Sequence, residues 1–334
     1  MYIGDLQQTG FKNLLGYFLE DITKHALEKP SLGFQFYRGN RFSIEIKNIA
    51  TNNFLDIINS MQTTFKDCFG IKVLSALSSV IKISIVNKPS VITYLGGAGN
   101  LTCETSTSEE SENKVLIDCT LDASIFKTFE IHYDHANAYL KQFAMLNPGL
   151  QIISIDNTTD EQQRRVFSYP TGVLHEFDFA LASEPYNPKQ QMLLKLTETV
   201  DEYEYRIGIC YSDRYTQNSF LKSYAGNIHT FENGSLVDGI LAGIKQTVKT
   251  LGKQKNVVVL ITRKEILRNL TLIAAIKGPD YNWYGSTKWK LEMPKVQKEV
   301  HKLVFNKLTA YFEANPDKGE ATLRKFERLT EWDD

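Results

Sequence analysis

The sequence predicts a mixed α/β (α+β) protein of two domains, and three observations predict it. Its 334 residues exceed what one ordinary hydrophobic core organises. Stretches with apolar residues at steps of three and four are interspersed with stretches that alternate apolar and polar residues, the periods of helix and strand. A charged segment without apolar periodicity, Asp156 to Arg165, separates two such sets and places the boundary there. The expected division is 1–155, 156–315 and a closing helical tail, 316–334.

In the first domain, Phe11, Leu14, Leu15, Phe18, Leu19, Ile22 and Leu27 mark an amphipathic helix over 10–27. Phe42-Ser43-Ile44-Glu45-Ile46 alternates as a strand should. Asn53 to Met61 and Val73 to Leu77 read as helices, Val80 to Val86 as a strand, and the helices are expected on one face of a sheet. The polar run Thr102 to Asn113, with four acids, reads as a hairpin loop. A helix over Tyr139 to Met145 stops before Asn147-Pro148-Gly149, because proline cannot continue it.

The second domain opens with Phe167 to Val173. Tyr203, Tyr205, Ile207 and Ile209 alternate with polar residues and predict a strand with one solvated face. Leu236, Ile240, Leu241, Ile244 and Val248 form one helical stripe, with Ser235 as expected N-cap and Leu251-Gly252 as expected end. Strands are expected at Val257 to Thr262 and Leu270 to Lys277. A long helix carries Val296, Val300, Leu303, Val304, Tyr311 and Phe312 and ends before Asn315-Pro316, and Leu323 to Glu331 adds a further helical turn or two.

Composition narrows the function classes. With 42% hydrophobic and 23% charged residues the chain reads as globular, not disordered. Its apolar runs fall far short of the roughly 20 residues a membrane helix needs. The first residues carry no basic segment followed by an apolar stretch, so a cytoplasmic protein is expected. Cys68, Cys103, Cys119 and Cys210 show no metal-ligand spacing. A net charge of −1 argues against indiscriminate coating of nucleic acid. Between Lys253 and Lys307, however, twelve Lys/Arg face four acids, which reads either as a solvated helix face or as a groove for DNA phosphate.

Short strings along the chain carry a family resemblance. Asn227-Ile228-His229-Thr230, running on to Asn233-Gly234-Ser235, is similar to the N-I-x-T-x-x-G-G turn of the transducer domain in type IIA topoisomerase B subunits. Ser286-Thr287-Lys288 resembles its Q-T-K loop, whose lysine reaches the ATP γ-phosphate. Met1-Tyr2-Ile3-Gly4 and Leu146-Asn147-Pro148-Gly149 resemble the strings that open and close the ATPase domain of gyrase and topoisomerase IV B subunits, and Phe167-Ser168-Tyr169 with Gly172 resembles the start of the transducer. The spelling around Asn227 is nearest to the large subunits of tailed-phage topoisomerases. The resemblance implies a GHKL-type ATPase sandwich followed by a transducer with a βαβ crossover. It also implies a type II topoisomerase subunit as partner, action on DNA, a homodimeric clamp as the alternative assembly, and a cytoplasmic, nucleoid-associated location in a bacterial or phage-infected cell.

The same resemblance implies where ATP and Mg²⁺ would bind, and there the residues depart from the pattern. Tyr17 stands at the position of the general-base glutamate; a phenol of pKa about 10 is protonated at neutral pH and cannot accept a proton from water. Glu20, one turn on, is the substitute base to consider, and Asp21 falls on the metal-binding asparagine. Ile46 replaces the purine-binding aspartate, and of the glycine-rich phosphate loop Gly70 persists. Asp21, Gly70 and Lys288 would make up a residual nucleotide site, and Lys264, Arg268, Lys288 and Lys290 would face DNA.

Three readings follow. One is a degenerate ATPase subunit that works through partners, with no cofactor. Another is an active ATPase subunit of a split phage-type topoisomerase, using ATP and Mg²⁺ with Glu20 and Asp21 in the catalytic roles. The last is a non-catalytic DNA-binding module. The 334 residues contain no E-G-D and D-x-D cluster of the kind that holds the metal of a DNA-cleaving domain.

Overall fold

The computed structural model describes residues 8–24, 26–59, 69–107, 112–126, 130–183, 190–212 and 219–327. The chain divides into two compact units between Pro170 and Thr171. The first comprises α1 (Gln8–Lys24), β1 (Ala26–Tyr37), β2 (Arg41–Ile49), α2 (Thr51–Asn59), α3 (Phe69–Ala76), β3 (Ser78–Asn87), β4 (Ser90–Gly97), β5 (Asn100–Thr107), β6 (Lys114–Leu121), α4 (Tyr133–Leu146), β7 (Gln151–Asn157) and β8 (Gln163–Ser168).

Its eight strands run β5-β4-β3-β6-β2-β1-β7-β8, antiparallel except for the β1/β7 pair. The period of two sorts each strand into faces. Leu32, Phe34 and Phe36 of β1, Phe42, Ile44 and Ile46 of β2, and Val115, Ile117 and Cys119 of β6 are fully buried on one face. There they meet the apolar stripe of α1, from Phe11 to Ile22, in one core. Burying each such side chain contributes roughly 1.5–3 kcal/mol, which is why the period and not local propensity sets the register. The other face is polar and held by Arg41–Asp118 and Lys114–Glu45 ion pairs.

Three expectations change in this unit. The first helix stops at Lys24 rather than 27, because Ala26 is drawn into the sheet opposite Ile49. The first half of the polar run, Thr102 to Thr107, is strand: β5 pairs with β4 from Gly97↔Asn100 to Ser90↔Thr107. Threonine suits a pleated strand, and polar, charged side chains blunt a sheet edge, so a strand here need not be apolar. Residues 108–111 lie outside the described ones. Finally, Asp156 to Arg165 forms the turn and flanks of the β7/β8 hairpin, with Asp156 opposite Gln163, so the unit continues past 155 to Pro170.

The second unit comprises α5 (Val173–Ala182), β9 (Gln190–Val200), β10 (Tyr203–Ser212), β11 (Phe220–Ala225), β12 (Ile228–His229), α6 (Ser235–Lys255), α7 (Arg263–Leu267), β13 (Leu270–Lys277), β14 (Trp283–Tyr284), β15 (Lys290–Leu291), α8 (Pro294–Ala314) and α9 (Pro316–Phe326). Its sheet runs β12-β11-β13-β10-β9, and β11 and β13 are parallel neighbours joined through α6 and α7, a βαβ crossover. Tyr205, Ile207, Ile209 and Tyr211 share a core with α6, α8 and α9. On the opposite face Phe177 of α5 lies against Gly208 of β10. Gly239 and Gly243 bring α6 against the α8 backbone, where any side chain would collide. The tail expected at 316–334 includes α9, which closes this core through Leu323 and Phe326.

Again three local expectations change. Ser235 is the first residue of α6, behind Gly234, and its hydroxyl accepts from Met293 N at 2.7 Å instead of capping its own helix. The helix runs past Gly252 to Lys255 and ends on Asn256 at φ 56°, a left-handed residue that asparagine tolerates. Val257 to Thr262 is no sheet strand. Val259 bridges Glu327, Leu260 N donates to Phe326 O, and Thr262 caps α7. The run is apolar because Val259 and Ile261 pack into the helical side of the core. Among the described residues no helix is long and apolar enough to cross a membrane.

Candidate functional site

In the first unit the structure brings Tyr17, Glu20, Asp21 and Gly70 together where α1 crosses α3. Asp21 is 4% exposed, and its Oδ2 accepts from Gly70 N at 2.6 Å and from Ile71 N at 3.3 Å. These amides belong to the first turn of α3, whose opening N–H groups have no partner within the helix. A carboxylate there meets both the orphan donors and the positive end of the helix dipole. Asp21 therefore acts as a cap supplied from a neighbouring helix.

Gly70 is buried, and a Cβ on it would collide with the Tyr17 and Phe18 backbone. Its missing side chain lets two helices touch. Beside it, the half-buried Tyr17 ring meets Phe69 edge-to-face, with centroids 5.1 Å apart at 84°. Glu20 is half-buried on the same turn. It adds, with Tyr17, to the upward shift of the Tyr139 phenol, whose first cause is burial. Ile46 is completely buried between Leu32 and Val115 on the neighbouring strands. Met1 to Gly4 and residues 60–68, including Cys68 of the expected phosphate loop, lie outside the described residues. Among those described, no group of three or more His, Cys, Asp or Glu side chains could hold a metal ion.

The second unit carries the remaining candidates. Lys288 is exposed, at φ 57°, in the turn between β14 and β15. Lys290 lies over the Tyr284 ring, 5.2 Å from its centroid. This hairpin is tied to the turn that precedes α6: Glu232 N donates to Trp289 O at 3.0 Å and Leu291 N to Asn233 O at 3.1 Å. Gly234, at φ 107°, lies flush against the Leu291 backbone. Two strings some fifty positions apart in sequence thus form one backbone-bonded knot, which spacing alone could not reveal.

Lys264 and Arg268 line a cavity of about 510 Å³ at α7, with Ser219, Arg263, Glu265 and Leu267. Arg263 pairs with Asp238 at 2.8 Å and Arg268 with Glu265 at 3.0 Å. A further cluster was not foreseen. Glu176 of α5 accepts from Lys222 and, at 3.2 Å, from the Tyr224 hydroxyl, and burial leads the causes that push that phenol up.

Comparison with known proteins places this architecture. The family model for DNA gyrase B matches residues 175–331. The gyrase B subunit of Archaeoglobus fulgidus is 26% identical over 266 residues, 77% of this chain and 40% of that protein. That of Eisenibacter elegans is 27% identical over 266 residues, 77% of this chain and 55% of the relative. The chain therefore spans about half or less of the length of these relatives. Among solved structures, the 43K ATPase domain of Thermus thermophilus gyrase B, in complex with an aminocoumarin, superposes with a TM-score of 0.78 at 18% identity, covering 97% of this chain and 90% of that one. The gyrase B-subunit structure from Myxococcus xanthus gives 0.78 at 18% identity, with 97% and 96% covered. At such identity the likeness concerns the fold, and it extends over both units. The fold over both units, the matched second unit and the curated relatives agree in one respect: this chain is similar in sequence and fold to the B subunits of type IIA topoisomerases.

Proposed function

We propose that the chain serves as a gyrase B-like subunit that retains the clamp architecture and has given up ATP hydrolysis, acting with a type II topoisomerase partner on DNA. In this reading the first unit is the GHKL-type domain and the second the transducer. One observation carries it: the Asp21 carboxylate, at the expected metal position, is engaged by the Gly70 and Ile71 amides.

The neighbouring residues agree. A Mg²⁺–nucleotide site needs oxygen ligands free to bind the cation, backbone amides open to phosphate and an acceptor for the purine amine. Here the Gly70 amide is taken, the glycine is packed against α1, and Ile46 offers only hydrocarbon. The described residues do not fit ATP with Mg²⁺. Lys288, exposed on its hairpin, would meet a partner or nucleic acid in this reading, together with Lys264, Lys290 and Arg268, the last paired with Glu265.

The test is a coupled ATPase assay on the full chain, alone and with DNA, beside calorimetry with a non-hydrolysable ATP analogue and Mg²⁺. The expected result is no turnover above the blank and no saturable heat. Brisk turnover would end the reading. One observation favours the rival, an active ATPase subunit of a split phage-type topoisomerase: Glu20 is half-buried near the Tyr17 and Tyr139 phenols. Turnover that disappears in Glu20→Gln and Lys288→Ala would establish that rival. Co-purification with a topoisomerase subunit, followed by supercoil relaxation, tests the partner separately.

A further inference from the structure

The knot that joins the turn before α6 to the β14/β15 hairpin carries an unusual outer surface. Phe231 is 67% exposed, Tyr284 61% and Trp289 48%. Large aromatic rings contribute most when removed from water, so three at this exposure on two adjoining loops need an explanation other than core packing. Two of them, Phe231 and Trp289, belong to a series. His229 lies 4.1 Å from the Phe231 ring, and Phe231 lies 6.1 Å from Trp289 in an edge-to-face pair. The backbone bonds Glu232 N to Trp289 O and Leu291 N to Asn233 O fix the loops that hold them, so the rings are presented on a preorganised frame.

Cations stand among these rings. Lys288 is exposed at the hairpin turn and makes no ion pair among the described residues, and Lys290 lies over Tyr284. They sit within the stretch Lys253 to Lys307, where cations outnumber acids twelve to four. Exposed ring faces interleaved with unneutralised ammonium groups match one kind of ligand in both respects: a chain of unpaired planar bases linked by phosphates. A duplex hides its base faces and would use the lysines alone. Glu232, exposed beside Phe231, opposes such a ligand and gives the test an arm of opposite sign.

The geometry points to a binding surface for single-stranded nucleic acid on this knot, with Phe231, Trp289 and Tyr284 stacking on bases and Lys288 and Lys290 meeting phosphates. The test uses the full chain and a fluorescein-labelled oligothymidylate of about twelve nucleotides, compared with a duplex of the same length and with an acidic Glu/Tyr copolymer. The expected result is saturable anisotropy with quenched tryptophan emission, and single strand preferred over duplex. The double variant Phe231→Ala/Trp289→Ala should lose about tenfold in affinity while its salt dependence persists. Lys288→Ala should lose less and lower the salt slope by about 0.7, and Glu232→Gln should bind more tightly. All four residues are exposed, so circular dichroism should show unchanged folding. Equal binding by the double variant, tighter binding of duplex, or copolymer binding that the oligonucleotide fails to displace would each overturn the assignment; the last would make the knot a protein-docking surface.

Discussion

The α1/α3 crossing in the first unit and the hairpin knot in the second are both built around a glycine laid against backbone, and they use it to opposite ends. At the crossing, Gly70 brings two helices so close that Asp21 is drawn onto the α3 amides and Tyr17 onto Phe69, leaving polar groups turned inward. At the knot, Gly234 lies on Leu291 and the loops so anchored carry Lys288, Phe231 and Trp289 outward. A glycine or acid that survives in a motif has therefore not necessarily kept the motif's chemistry. Its partners decide whether it packs or recognises.

The largest effect should come from breaking the crossing. Gly70→Ala forces a methyl into the α1 backbone, and neither helix can yield locally, so urea unfolding should show a loss of about 3 kcal/mol. The matching change at the hairpin, Gly285→Ala, meets open space and only an unfavourable φ of 76°, with a cost of about 1 kcal/mol. Equal costs at the two sites would mean that the backbone contact at Gly70 does not set the cost of a side chain there.

Next in size is Asp21→Ala, which leaves the buried Gly70 and Ile71 amides without an acceptor and should cost about 2 kcal/mol. If Asp21 were instead held ready for a metal, its replacement would cost little in metal-free buffer and would abolish Mg²⁺-dependent binding.

The second unit should respond to alkali through its tyrosines. The hydrogen bond from Tyr203 to Asp280, with burial and nearby charge, pushes that phenol up to about 12 from the usual 10. The native state keeps a proton that the unfolded chain has released. Stability from this contact is thus complete below about pH 10 and declines as the pH rises toward 12. Tyr203→Phe should flatten that part of the alkaline decline in denaturant midpoints, leaving the contributions of Tyr205 and Tyr224, whose shifts have the same sign.

The smallest effect concerns thiols. Cys119 is completely buried in the first unit and burial raises its thiol to about 12, whereas Cys103 is exposed on β5. Cys103 should react with a disulfide reagent at once and Cys119 only on unfolding. Cys210, buried in the second unit, reports independently. Its release at a different urea concentration from Cys119 would show the two units unfolding separately, and simultaneous release would show one cooperative structure.

Much of the fold was legible because burial imposes periods: the α1 stripe, the alternation of β2 and β10, and the long α8 seam all follow from which side meets a core. Edges and ends were not legible. Val257 to Ile261 is as apolar as a strand, yet its partners are α6 and the end of α9, a tertiary fact no window of sequence contains. Thr102 to Thr107 is as polar as a loop, yet it pairs along its whole length. At the site, the substitutions at Tyr17 and Ile46 were visible as residue types. That Asp21 caps α3, and that Ser235 serves Met293 rather than its own helix, depended on which amides arrive from elsewhere in the chain.

The Ser235–Met293 bond has a mechanical meaning. It fastens the first residue of one 21-residue helix to the residue just ahead of another, and each helix runs about 30 Å across the unit. With Gly239 and Gly243 holding the pair in close register, the two helices form a single lever with the hairpin as its handle. The expected consequence is that a displacement of Trp289 or Lys288 shifts both helices together, because backbone bonds and the Ser235–Met293 contact join the hairpin to their starts.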